Sequence, residues 1–150
     1  MSMGNFADLA NVRVGDVKPP AVYPTGHYKA IFSGLMKQHN ARSGNSAMRF
    51  PFKLIEPGAD VDSQEFAAIV AEQPLGEKDY NLDFWMSPDA RFRFTDFGKA
   101  MGHSDDLTLL ELAEALSTAG EPFMIELKHE PNEDPTKPPF MRFDNPAPWA

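Results

Sequence analysis

Lys29, Lys37, Arg42, Arg49 and Lys53 occupy a stretch, His27 to Lys53, that contains no acid. From Glu56 onward acids outnumber bases, and the whole chain carries a net charge of −8. Tyr28, Phe50 and Phe52 are interleaved with those cations, and Trp85 and Lys137 follow further along. Lys and Arg neutralise phosphates and release their counterions, while aromatic rings stack on unpaired bases. The chemistry open to these residues together is therefore the binding of single-stranded nucleic acid. The competing reading is a solvated strand pair with chance segregation of charge. Phe84-Trp85-Met86 likewise reads as core or sheet face, with base stacking as the alternative.

Catalytic chemistry finds less support. The pattern G-x-x-x-x-G-K-S/T is absent, as is G-x-G-x-x-G, so no phosphate cradle is expected. The four histidines, His27, His39, His103 and His129, are scattered without ligand spacing, and no metal site is expected. With no cysteine there is no disulfide and no thiolate chemistry, which fits a reducing cytoplasm. His103-Ser104-Asp105-Asp106 holds nucleophile-like residue types but reads more simply as a turn with capping groups. The expectation is a non-enzymatic binding protein without cofactor. No apolar run reaches the roughly 20 residues that span a bilayer, and Met1-Ser2-Met3-Gly4-Asn5 lacks the features of an export signal, so a soluble, unexported protein is expected.

The elements that must position these side chains follow from periodicity. At 150 residues the chain suits one domain. Prolines gather toward the ends, which suggests extended arms around a folded body. Asn5 to Asn11 reads as a helical turn or two, and Gly15 to Pro24 as a linker. Gly26 to Lys37 and Ala47 to Glu56 alternate as strands and should pair as a hairpin, with Gln38 to Ser46 as its tip. Pro51 lacks an N–H, so the second strand must carry a bulge or an unpaired side there.

Glu65 to Glu72 and Tyr80 to Met86 are the next two strand candidates. Ser87-Pro88 supplies an N-cap and an N1 proline for a helix whose Ala90, Phe94, Phe97 and Met101 share a face, with Gly102 ending it. Thr108 and Glu111 form a capping box for a second helix, which buries Leu109, Leu112, Ala113 and Leu116 and ends before Gly120. Pro122 to Glu130 is a strand, Pro131 to Pro139 a loop, Phe140 to Phe143 a last short strand, and Asp144 to Ala150 a tail. The expected fold is mainly β: a five-stranded barrel of the oligonucleotide-binding (OB) type, with helices between strands three and four. Arm, barrel and tail divide at 1–25, 26–143 and 144–150. In such barrels the groove crosses strands two and three between two loops, here Gln38 to Ser46 and Pro131 to Pro139.

Pro24-Thr25-Gly26-His27-Tyr28, the loop with Ser43-Gly44-Asn45, the strand Met48-Arg49-Phe50-Pro51-Phe52-Lys53-Leu54, and Leu109 to Phe123 resemble phage-encoded single-stranded DNA-binding proteins of the OB type. The resemblance covers roughly Pro24 to Leu127. It implies a sequence-tolerant binder that protects or organises single-stranded DNA during replication or recombination in the host cytoplasm. Lys29, Lys37, Arg42, Arg49, Lys53 and Lys137 would then meet phosphates. Whichever of Tyr28, Phe50 and Phe52 points outward would stack on bases, together with Trp85. The alternative is a virion decoration or assembly protein whose arms, Phe6 to Pro24 and Phe140 to Trp149, grip neighbouring subunits or other phage proteins. No membrane role is expected. The two functions separate on one spatial requirement: DNA binding needs Arg42 and Arg49 beside an open trough, whereas cations paired with acids, or a trough filled by the termini, favour assembly.

Overall fold

The computed structural model describes Ala10, Arg13, Val14 and residues 22–149. Apart from Ala10, the helical turns expected over 5–11 lie outside the described residues, and so does most of the linker expected over 15–24. Among the described residues no helix is long and apolar enough to cross a membrane.

The polypeptide enters the sheet through Gly26, at a φ of 141°, and a Cβ there would stand 2.7 Å from Val61. Tyr28, next along, folds back and donates its hydroxyl hydrogen to the Pro24 carbonyl at 2.7 Å. The Pro24, Gly26 and Tyr28 positions thus form one structural unit that fixes the entry to β1 (Gly26–Phe32). Within β1 the expected alternation holds: Tyr28, Ala30 and Phe32 are buried, and His27, Lys29 and Ile31 are not.

The strand expected to run unbroken to Lys37 divides in two. Ser33, Gly34, Leu35 and Met36 lie opposite only Phe50 and Pro51, and β2 (Lys37–Asn40) then resumes the pairing. The cause is Pro51, which has no N–H for the ladder and whose carbonyl accepts from the Ser33 N–H at 2.9 Å. β3 (Ser46–Pro57) pairs with β1 and β2 along one side and with β4 (Tyr80–Trp85) along the other, all antiparallel. Its alternation buries Met48, Phe50, Phe52 and Leu54.

Glu65 to Glu72 is not a strand. Asp62 accepts from the Gln64 and Glu65 backbone N–H groups, both at 3.0 Å, and caps α1 (Ser63–Val70). Phe66 and Ile69, one turn apart, pack on the core, with the Phe66 ring 6.2 Å from both Tyr23 and Tyr28. A short apolar run cannot by itself distinguish strand from helix, and here the cap decides.

α2 (Pro88–Ala100) starts after Ser87 with Pro88 in its first turn, and Gly102 follows it at a φ of 90°. The complete capping box of Thr108 and Glu111 opens α3 (Leu109–Thr118), and Gly120 follows at a φ of 66°. Leu112, Ala113 and Leu116 are buried as the spacing requires, while Leu109 packs only partly. Phe94 and Phe97 of α2 project into the sheet's concave side, Phe94 against Phe50 and Phe84, Phe97 against Phe32, Phe84 and Phe123.

β5 (Phe123–Glu130) pairs with β1, and β6 (Phe140–Pro148) pairs with β5. The segment Asp144 to Pro148, expected as a tail, therefore belongs to the sheet. Asn145 adopts a φ of 54° at an irregularity in the pairing and donates its amide to Glu126 at 2.8 Å, which carries the strand past the break. Pro146 and Pro148 are tolerated because β6 is an edge strand.

Among the described residues the result is a mainly β, six-stranded antiparallel sheet with three helices. It is not the closed five-stranded barrel expected: β4 and β6 remain unpaired edges. The Tyr80 and Phe143 rings meet at 4.9 Å, but towards Trp85 the edges part and leave a cleft of about 550 Å³.

Gly58 is the tightest point of the chain reversal after β3. A Cβ there would lie 2.5 Å from the His27 carbonyl oxygen, a backbone atom, and the Gly58 N–H donates to that same oxygen at 2.7 Å. Gly58→Ala is expected to destabilise the protein by about 1–3 kcal/mol through overpacking. Urea denaturation checks this as a lower midpoint at unchanged slope.

Candidate nucleic-acid interface

On β4 the buried Leu82 and Phe84 alternate with Asn81, Asp83 and Trp85, so packing of the first pair turns the second set outward. Register then builds two rows across β2, β3 and β4. Lys37 stands opposite Arg49, which stands opposite Asp83; His39 stands opposite Ala47, which stands opposite Trp85. The small Ala47 lets the outer side chains of the second row meet above it. The His39 and Trp85 rings approach edge to face at 6.1 Å, with Trp85 37% exposed.

The aromatic expectations need correction. Tyr28, Phe50 and Phe52 are all fully buried, because each occupies the inward phase of its strand, and none can stack on a base. Burial also pushes the Tyr28 hydroxyl pKa well above its ordinary value. Of the rings predicted to stack, Trp85 alone is accessible.

The cations divide into two groups. Arg49 donates two hydrogen bonds to the two Asp83 oxygens, at 2.8 and 2.9 Å, a bidentate pair that raises its pKa further. Lys29 lies 3.6 Å from Glu56 and 5.8 Å from the centre of the Trp149 ring. These two are therefore committed within the fold, contrary to the requirement placed on Arg49. Lys37, Arg42, Lys53 and Lys137 make no ion pair among the described residues, and Lys37, Arg42 and Lys137 are exposed.

Arg42 sits in the hairpin tip, which is closed by Ala41 N–H to the Asn45 carbonyl at 2.9 Å and by Gly44 at a φ of 88°. Because β5 runs antiparallel to β1, the loop bearing Lys137 leaves the opposite end of the sheet. The structure thus gathers Lys37, Arg42, Arg49 and Trp85 at one end and sets Lys137 apart.

No protein-family model matches the chain, and no curated protein matches it in sequence.

Two side chains beside Trp85 were missed. His39 reaches it through the register of the hairpin, which strand alternation alone does not reveal. Arg93, exposed on α2, lines the cleft together with Trp85. Its position depends on how α2 docks, although its place next to the buried Phe94 already puts it at the margin of that helix's inner face. Arg142, also at the cleft, is held by Glu130 at 2.7 Å and Asp144 at 3.0 Å.

Proposed function

We propose that this chain is a phage single-stranded DNA-binding protein, a non-enzymatic binder acting in the host cytoplasm, and that its interface is centred on Trp85. The order of elements supports an OB-type frame. With β1 and β2 taken as one interrupted strand, β3, β4, the α2–α3 segment, β5 and β6 follow in OB order, and the only barrel contact lacking is the seam between β4 and β6. The observation that carries the proposal is the exposed Trp85, flanked by His39 and Arg93 and lying on the same end of the sheet as Lys37 and Arg42, which are exposed and make no ion pair among the described residues. A stacking platform beside exposed cations suits flexible, unpaired strands. The acidic remainder of the chain opposes broad phosphate contact and so disfavours duplex.

Gel shifts of matched single-stranded and duplex oligonucleotides at about 50 and 200 mM salt test this. The expected result is a single-strand complex that weakens steeply with salt; absence of that complex at the lower salt overturns the proposal.

Asp83 makes a second prediction. In this arrangement it restrains Arg49, so Asp83→Asn should release a cation into the interface, tighten binding, and steepen the dependence of log affinity on log salt by about 0.7, the increment for one further phosphate contact on a single strand. A salt titration of both proteins checks it.

The pairing of Arg49 with Asp83 is also what an assembly role predicts, so decoration of a virion is the second reading. It loses one of its two grips, since Phe140 to Pro148 is a strand of the chain's own sheet. Stoichiometric recovery of the protein on purified capsids would favour it.

A further inference from the structure

The open seam beside Trp85 is bordered by polar side chains, of which Asn81 and Asp96 take no part in the interface proposed for Trp85, His39 and Arg93. Asn81 on β4, and Arg93 and Asp96 on α2, line the cleft of about 550 Å³ beside Trp85. All three are exposed and make no side-chain hydrogen bond or ion pair among the described residues. Asp83 and Asp144, the other carboxylates lining it, are engaged by Arg49 and Arg142. Arg93 and Asp96 lie three residues apart on one helix face, yet are not paired with each other. A ring, a free cation and a free carboxylate thus border a space within the usual range for small-molecule sites, about 300–1,000 Å³.

We infer that this cleft receives one base of the bound strand, stacked on Trp85, and that Asp96 makes the position selective for guanine over thymine. The inference rests on the single-stranded DNA reading and adds a base preference at one position to otherwise sequence-tolerant binding. An ionised carboxylate only accepts hydrogen bonds, through two oxygens side by side. The Watson–Crick edge of guanine offers two adjacent donors, N1–H and the 2-amino group, which match that geometry. Thymine offers a single N3–H between two carbonyls whose lone pairs face the carboxylate. Cytosine and adenine each present one amino donor next to a ring nitrogen that accepts, and fall between. Unstacked bases are read along this edge in single strands. Arg93, a turn away, is placed to hold the phosphate of the same nucleotide, which offsets the repulsion between that phosphate and Asp96.

Fluorescence anisotropy with three labelled oligomers of about 16 nucleotides, the upper end of an OB-fold site size, tests the inference. One is all thymidine, one carries a central guanine, and one a central inosine, which keeps N1–H but lacks the 2-amino group. The guanine oligomer is expected to bind roughly tenfold more tightly than the thymidine oligomer, in keeping with the discrimination of a bidentate contact. Inosine should lose most of that gain, and Asp96→Asn should bring the guanine-to-thymidine ratio close to one. Equal, salt-dependent binding of the guanine and thymidine oligomers overturns the inference while leaving the DNA reading standing, and so does a guanine preference that survives Asp96→Asn. Failure of all three to bind at about 50 mM salt removes both.

Discussion

Replacing Phe50 by alanine is expected to cost about 3–5 kcal/mol of folding stability, enough to unfold much of a marginally stable population. Phe50 is fully buried at the centre of the sheet's concave side, with Phe32 at 5.2 Å, Phe84 at 5.8 Å and Phe94 at 5.9 Å between ring centres. Those neighbours come from β1, β4 and α2, so no single element can collapse into the void. The loss is therefore the transfer free energy of the ring together with a persistent cavity. Urea denaturation followed by far-UV circular dichroism measures it. A cost under about 1 kcal/mol would mean that the ring is solvated rather than enclosed, as the base-stacking expectation had allowed.

Trp85→Ala is expected to act in the opposite way, leaving stability within about 1 kcal/mol and weakening single-stranded DNA binding by about 1–3 kcal/mol, or roughly 5- to 150-fold. The side chain, 37% exposed, stands outside the core and meets the His39 ring edge to face, so its removal opens no internal cavity. The contribution to binding arises because an indole face offers every base the same stacking surface. Trp85→Phe should recover part of the affinity, whereas a change in the backbone of β4 would not be rescued by a ring. Affinity and denaturation midpoint measured on the same preparations separate the two effects.

Much of the fold could be read from the residues. The alternation of Phe50, Phe52 and Leu54, the capping box at Thr108 and Glu111, the proline after Ser87 and the hairpin turn between β2 and β3 are each local patterns whose physics acts within a few residues. What could not be read depends on partners distant in sequence. The helix at Ser63–Val70 contains an apolar run too short to declare its period, and the role of Asp62 as a cap shows only once the chain turns there. The first half of β6, Phe140 to Phe143, reads as a strand, but Asp144 to Pro148 reads as a tail because Pro146 and Pro148 disfavour strands in general, although an edge strand needs no N–H on its open side.

The site divides in the same manner. The exposure of Trp85 follows from two-residue alternation along β4, once Leu82 and Phe84 are assigned to the core. The neutralisation of Arg49 could not be foreseen, because it requires Asp83 directly opposite in a strand more than thirty residues away. Arg93 joins Trp85 only through the packing of α2. A charge count along the sequence therefore overstated the basic face: Arg49 on β3 is paired with Asp83, and the exposed Lys37 and Arg42 stand on β2 and at the hairpin tip.

Contact between the Trp85 ring and single-stranded DNA can be read directly from its fluorescence. The two tryptophans are Trp85 and Trp149, so a Trp149→Phe protein reports from Trp85 alone. Titrating it with oligothymidylate at about 50 mM salt should quench its emission saturably, and raising the salt to about 200 mM should restore the signal. Unchanged emission, with no complex by an independent method at the lower salt, would mean that Trp85 does not bind single-stranded DNA.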